Sequence, residues 1–116
     1  MRITVTVPQQ INVTNALELE ADIAVLLARD VPGETLHEVK HSFSRVYGGF
    51  TMHEAFGGWV NPDGELVEER VTVVEAYTDH PTGDQEAYWI ARFVRSALYQ
   101  DAAMYTVDNE AYFIDD

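Results

Sequence analysis

A chain of 116 residues with 47% apolar content can bury one hydrophobic core and is too apolar to be a disordered segment. The absence of cysteine excludes a disulfide framework, a thiolate zinc site and a thiol nucleophile, and suits a reducing, cytoplasmic setting. Twenty acidic residues against seven basic ones, a net charge of −13, repel nucleic acid and anionic membranes and attract cations or basic protein surfaces.

Taken in order, Arg2 to Val7 alternates Ile3, Val5 and Val7 with Thr4 and Thr6. That period of two predicts a strand, and Pro8 ends it. No long apolar run follows Arg2, so no signal peptide is expected. No stretch approaches the roughly 18 consecutive apolar residues of a membrane span. Residues 9–15 are polar enough for a loop. Ala16 to Asp30 supports two periods, because Leu17, Leu19, Ala21, Ile23 and Val25 alternate while Leu19, Ile23, Leu26 and Leu27 form a helical stripe. The weight of Ala, Leu, Glu and Arg favours a helix, with Thr14 or Asn15 as N-cap and Pro32-Gly33 as its stop.

Glu34 to Tyr47 carries Leu36, Val39, Phe43, Val46 and Tyr47 on one stripe, and Gly48 is placed to end that helix. Phe50 to Asp79 then reads as two long strands joined at Asn61-Pro62-Asp63-Gly64. Proline pre-sets φ there, Asn and Asp cap local amides, and glycine accepts the positive φ of the reversal. Phe50, Met52 and Phe56 alternate on the first strand; Val71, Val73, Val74 and Tyr77 suit a pleated, half-buried second one. Thr82 with Gln85 has the form of a capping box for a helix running to about Tyr99. Its buried face is Ala87, Ile90, Ala91, Val94, Ala97 and Leu98. Met104 to Val107 and Ala111 to Ile114 read as two short strands, or as one kinked at Asp108-Asn109. This order predicts an α+β fold in a single domain, residues 1–116: a ferredoxin-like βαββαβ sandwich, its antiparallel sheet carrying helices on one face, with an extra N-terminal helix. The face left uncovered would suit a second copy, so a homodimer is an expectation.

Several residues carry possible chemistry. His37-Glu38-Val39-Lys40-His41 matches the H-E-x-x-H pattern of zinc peptidases. However, the helical phase sets both histidines on the wet side opposite Leu36, Val39 and Phe43, and Glu86 is the best available third ligand. A zinc site at His37 and His41 is therefore disfavoured, and no metal or other cofactor is expected. Gly57-Gly58 inside a strand predicts a bulge beside Trp59, or else a pocket with Trp59 as its wall. Glu54 and Glu75 alternate with apolar neighbours and, with Tyr77, are candidates for the same pocket. Tyr88, Trp89 and Tyr105 are further candidates for lining it. Gly48-Gly49 follows a helix rather than preceding one, so it is no phosphate cradle. Neither a Ser-His-Asp order nor a Walker loop is present.

The stretch GGFTMHEAFGGWVNPDGELVEERVTVVEAYTD, with the later AAMYTVDNEAYFI, resembles small α+β proteins of bacteria and their phages whose function is unknown. The resemblance covers about residues 46–114. It implies a ferredoxin-like fold and a phage or accessory-gene origin, and it assigns no site. Residues 9–33 depart from the pattern.

The leading expectation is therefore an acidic, non-catalytic binding protein that blocks a basic, nucleic-acid-handling partner protein without touching nucleic acid or membrane itself. Glu65, Glu68, Glu69, Asp79, Asp84, Asp101, Asp108 and Glu110 would form its acidic surface. The alternative is a small-ligand binder or small enzyme with a pocket near Trp59, Glu54, Glu75 and Tyr77. The zinc peptidase ranks last.

Overall fold

Alternation in β1 (Arg2–Pro8) decides the architecture. The computed structural model describes residues 1–115, and in it Ile3, Val5 and Val7 are almost wholly buried. After β1 come α1 (Val13–Glu18), α2 (Ile23–Ala28), α3 (Val31–Tyr47), β2 (Thr51–Val60), β3 (Leu66–Tyr77), α4 (Gly83–Ala97), β4 (Ala103–Val107) and β5 (Glu110–Ile114). The strands form one five-stranded sheet in the order β2-β3-β1-β4-β5, and every neighbouring pair is antiparallel. The fold is thus α+β, with a fifth strand at one edge that the sequence left undecided.

Register assigns each side chain to a face, because opposed residues in an antiparallel pair share one. Ile3 opposes Ala76, Val5 opposes Val74, and Tyr105 and Val107 of β4 oppose Val5 and Ile3. This face packs against Val39 and Phe43 of α3 and against Ala87, Ile90, Ala91 and Val94 of α4. Each large aliphatic side chain buried there contributes about 1.5–3 kcal/mol. The other face presents Thr4, Thr6, Pro8, Val71, Val73 and Glu75 in the middle of the sheet. Neither α3 nor α4 covers it.

Val39 and Phe43 of the stripe read from α3 are buried and Leu36, Val46 and Tyr47 half-buried, while of the stripe read from α4 all but the half-buried Ala97 are buried, and Gly48 ends α3 at φ 86°. Asn61 closes the β2–β3 hairpin by accepting from the amides of Asp63 and Glu65, with Gly64 at φ 82°. Other local expectations are corrected. Two short helices, α1 and α2, replace the single one expected over residues 16–30; α1 starts at Val13, inside the expected loop, and the break falls where Glu20 takes φ 58°. Asn12 and Asp22 are their N-caps, because Asn15 spends its side chain on Tyr99 and Asp101 instead. Pro32-Gly33 does not stop a helix but starts one. The Asp30 carboxylate caps the Gly33 amide at 3.1 Å, proline at the first turn forfeits only an amide that has no helical partner, and a β-carbon at Gly33 would collide with that carboxylate.

Thr82 occupies the N-cap of α4 without a side-chain cap bond; its hydroxyl lies 3.2 Å from His80 Nδ1 instead. Asp108 and Asn109 both take positive φ, the conformation of a two-residue hairpin turn, so the C-terminal segment is two strands rather than one kinked one. The bulge expected at Gly57-Gly58 is absent: these residues oppose Glu69 and Glu68 in an unbroken ladder. Phe50, Met52 and Phe56 are exposed, because β2 is an edge strand beyond the helix layer. The Arg70 guanidinium lies over Phe56, 5.5 Å from its ring centre. No helix among the described residues is long and apolar enough to cross a membrane.

Replacing the cap of the longest helix, Asp30→Ala, is expected to cost about 1 kcal/mol and to lower the melting temperature by roughly 4 °C. Thermal denaturation followed by circular dichroism measures it, and an unchanged midpoint would mean that α3 does not depend on this cap.

Candidate functional site

The uncovered sheet face hollows at the end where β1 terminates. Thr6, Pro8, Val67, Glu69, Val71 and Met104 form the floor of a cavity of ≈ 590 Å³, between Trp59 of β2 and Phe113 of β5. All eight side chains lie on one face by register. Residues 10–13 and 100–103 build the rim. They are held in place by Asn12 N–H donating to Leu98 O at 2.9 Å and by Gln100 Nε2 donating to Gln10 O at 3.3 Å. A volume of this size, apolar walls and a few convergent polar groups are the usual form of a small-molecule site.

Two polar groups in the cavity lack protein partners. The Thr6 hydroxyl is buried and makes no hydrogen bond. Such a group costs roughly 1–3 kcal/mol unless something bonds to it. The Glu69 carboxylate, half-buried on the floor, forms no side-chain hydrogen bond or ion pair among the described residues. Asp101 on the rim accepts from Asn15 Nδ2 at 2.8 Å. Glu69 and Asp101 are the charged groups lining the cavity, and no basic side chain joins them. The arrangement offers aromatic surface for a flat ring, a hydroxyl, and carboxylates for a diol or a cation.

The four residues read as one pocket are not brought together. Trp59 walls the cavity. Glu54 opposes Thr72 and so belongs to the helix-bearing face, where Gln9 Nε2 reaches it at 3.4 Å. Glu75 and Tyr77 share the cavity's face but line a shallow depression at the opposite end, with Tyr47 and Phe50. Glu75 is held by Arg2 at 2.9 Å, and this hydrogen bond is the main cause that depresses its pKa. Tyr88, Trp89 and Tyr105 do meet, together with Tyr112, in a separate hollow on the helix side.

His37 and His41 are both exposed on α3, their rings 4.5 Å apart. Among the described residues no group of three or more His, Cys, Asp or Glu could hold a metal ion. The acidic residues expected to make one surface are dispersed. Glu68 and Glu69 point to opposite faces of β3, Glu65 sits beyond the hairpin turn, and Asp79 lies in the loop before α4. Asp84 opens α4 and lines the helix-side hollow, whereas Asp101 is on the cavity rim. Asp108 accepts from the Arg2 amide and Glu110 from the Tyr112 hydroxyl, both at 2.7 Å.

No protein-family model matches the sequence, and no curated protein is significantly similar to it. Among solved structures, a phage SAM lyase in complex with S-methyl-5′-thioadenosine matches the fold with a TM-score of 0.64 at 9% identity, over 99% of this chain and 88% of that one. At that identity the match establishes the fold alone. The expectation of a non-catalytic blocker of a basic protein is corrected here, since the fold neighbour is an enzyme holding a small molecule.

The Arg2–Glu75 pair predicts an acid-side pH dependence. A glutamate depressed in the folded state stabilises it above the ordinary value of 4.5, and that stabilisation is lost as pH falls through the depressed value. Urea melts at several pH values should show Glu75→Gln losing less stability on acidification than the wild type. Parallel pH profiles would mean the pair is inert.

Proposed function

We propose that this chain binds a small adenosine-type molecule carrying a 5′ thioether or sulfonium, in the cavity on the uncovered sheet face. The observation that carries the reading is an aromatic-walled cavity whose floor holds the Glu69 carboxylate without a side-chain partner among the described residues. A ligand donating to that carboxylate supplies the partner it lacks. Trp59 and Phe113 supply faces for a purine. Glu69 and Asp101, without a lining base, favour a ribose diol or a sulfonium and oppose a phosphate, which separates this ligand class from nucleotides. The fold neighbour's bound S-methyl-5′-thioadenosine belongs to the same class. If the ligand is converted rather than only held, Glu69 is the group placed to face a sulfonium or take up a proton.

The scaffold in this reading is a ferredoxin-like sheet extended by β5. Its support is the order β2-β3-β1-β4, in which β3 separates the two strands that the α1–α3 segment connects. A second copy on the uncovered face would compete for the same surface, so light scattering belongs in the same experiment.

Thermal shift with S-methyl-5′-thioadenosine, S-adenosylmethionine and AMP tests the binding. A ligand at about a hundredfold excess over its Kd adds roughly 2.7 kcal/mol, so the first two should raise the melting point by several degrees and AMP should not. Trp59→Ala removes one stacking face and should cost about 1–3 kcal/mol, tenfold or more in Kd. Chromatography of S-adenosylmethionine incubations, compared with Glu69→Gln, then decides between binding and turnover. No shift with either sulfur nucleoside, or an equal shift with AMP, overturns the proposal.

A further inference from the structure

The helix side of the sheet carries a second hollow, of ≈ 390 Å³, between the first turns of α4 and the β4–β5 hairpin. Tyr105 and Tyr112 oppose each other across that hairpin with their rings stacked, centres 5.1 Å apart. Tyr88 and Trp89 line the hollow from α4, packed edge to face on each other with ring centres also 5.1 Å apart. Asp84 stands one helical turn before Tyr88, exposed, and lines the same hollow. Glu110 lies close by, accepting the Tyr112 hydroxyl at 2.7 Å. No basic side chain lines the hollow. Arg92, which is outside the lining, donates to the Tyr88 hydroxyl at 3.2 Å and lies over the Trp89 ring at 5.7 Å.

We propose that the hollow of Tyr88, Trp89, Tyr105 and Tyr112, with Asp84 on its rim, is a second binding site, for the methylated onium head of a small organic cation. Aromatic faces carry negative potential and attract a cation set over them, and a methylated onium gives up its hydration more cheaply than an ammonium does. The nearby carboxylates add the same sign. A metal ion would find too few oxygen ligands here, and a neutral apolar guest would gain nothing from Asp84. The electrostatics agree: burial foremost, with Asp84 and Tyr88 behind it, raises the pKa of Tyr105, while the Glu110 hydrogen bond foremost, with smaller contributions that include Asp84, raises that of Tyr112.

This site stands apart from the adenosine cavity, on the opposite face of the sheet, and the two tryptophans report on the two sites separately. Titration of ¹⁵N-labelled protein with choline should move the Trp89 indole resonance saturably and leave that of Trp59 in place. The neutral isostere 3,3-dimethyl-1-butanol should do neither. Asp84→Asn and Tyr112→Leu, both at exposed positions, should each weaken choline binding at least roughly fivefold with the remaining spectrum intact. The proposal is overturned if tens of millimolar choline leaves Trp89 unmoved, if the isostere binds equally well, or if Trp59 responds instead. S-methyl-5′-thioadenosine, read at Trp59, succeeds or fails independently.

Discussion

Everything in this fold follows from the central place of β1 and its alternation. Ile3, Val5 and Val7 turn one way into the helices, so Thr4, Thr6 and Pro8 must turn the other way, and neither α3 nor α4 covers them. Thr4 finds a partner across the strand in the Thr106 hydroxyl. Thr6 finds none. A single-residue shift in register would exchange the two sets and put hydroxyls into the core, so the same constraint that secures the helix layer also leaves a desolvated hydroxyl at the base of the cavity. Stability and the candidate site are two consequences of one pattern.

The legible parts of the sequence were those governed by local rules. Ile3 to Val7, the stripe from Leu36 to Tyr47 and the Asn61–Gly64 reversal each declare themselves within a few residues. Residues 16–30 did not, because their break depends on Glu20 adopting a left-handed conformation and on Asn15 being drawn to Tyr99 and Asp101, far along the chain. Pro32-Gly33 misled for a related reason: the same pair punctuates the end or the beginning of a helix, and Asp30 decides which.

The site was less legible. Trp59 is legible, but Glu54, Glu75 and Tyr77 lie on another face or at another end of the sheet. One signal for Glu69 did exist. With the hairpin turn fixed, Val60 opposes Leu66, and counting back along both strands sets Gly57 against Glu69 on the face of Trp59. No such count reaches Thr6, Met104 or Phe113, whose approach depends on the order of all five strands. The helix-side hollow is half visible in the sequence, since Tyr88, Trp89 and Tyr105 do meet, but strand alternation puts Tyr105, and the hollow with it, on the face opposite Trp59.

The acidity acquires a different meaning once the residues are in place. Among the described residues the carboxylates are spread over turns, both sheet faces and helix starts. A net charge of −13 still produces a negative field, and concave, low-dielectric surfaces focus it. Both hollows are aromatic, both hold carboxylates, and neither is lined by a basic group. They also share a wall: on β4 and β5, Met104 and Phe113 line the open-face cavity, while the next residue on one strand and the preceding one on the other, Tyr105 and Tyr112, line the helix-side hollow. One short hairpin thereby serves two cation-favouring surfaces through the same alternation that organises β1.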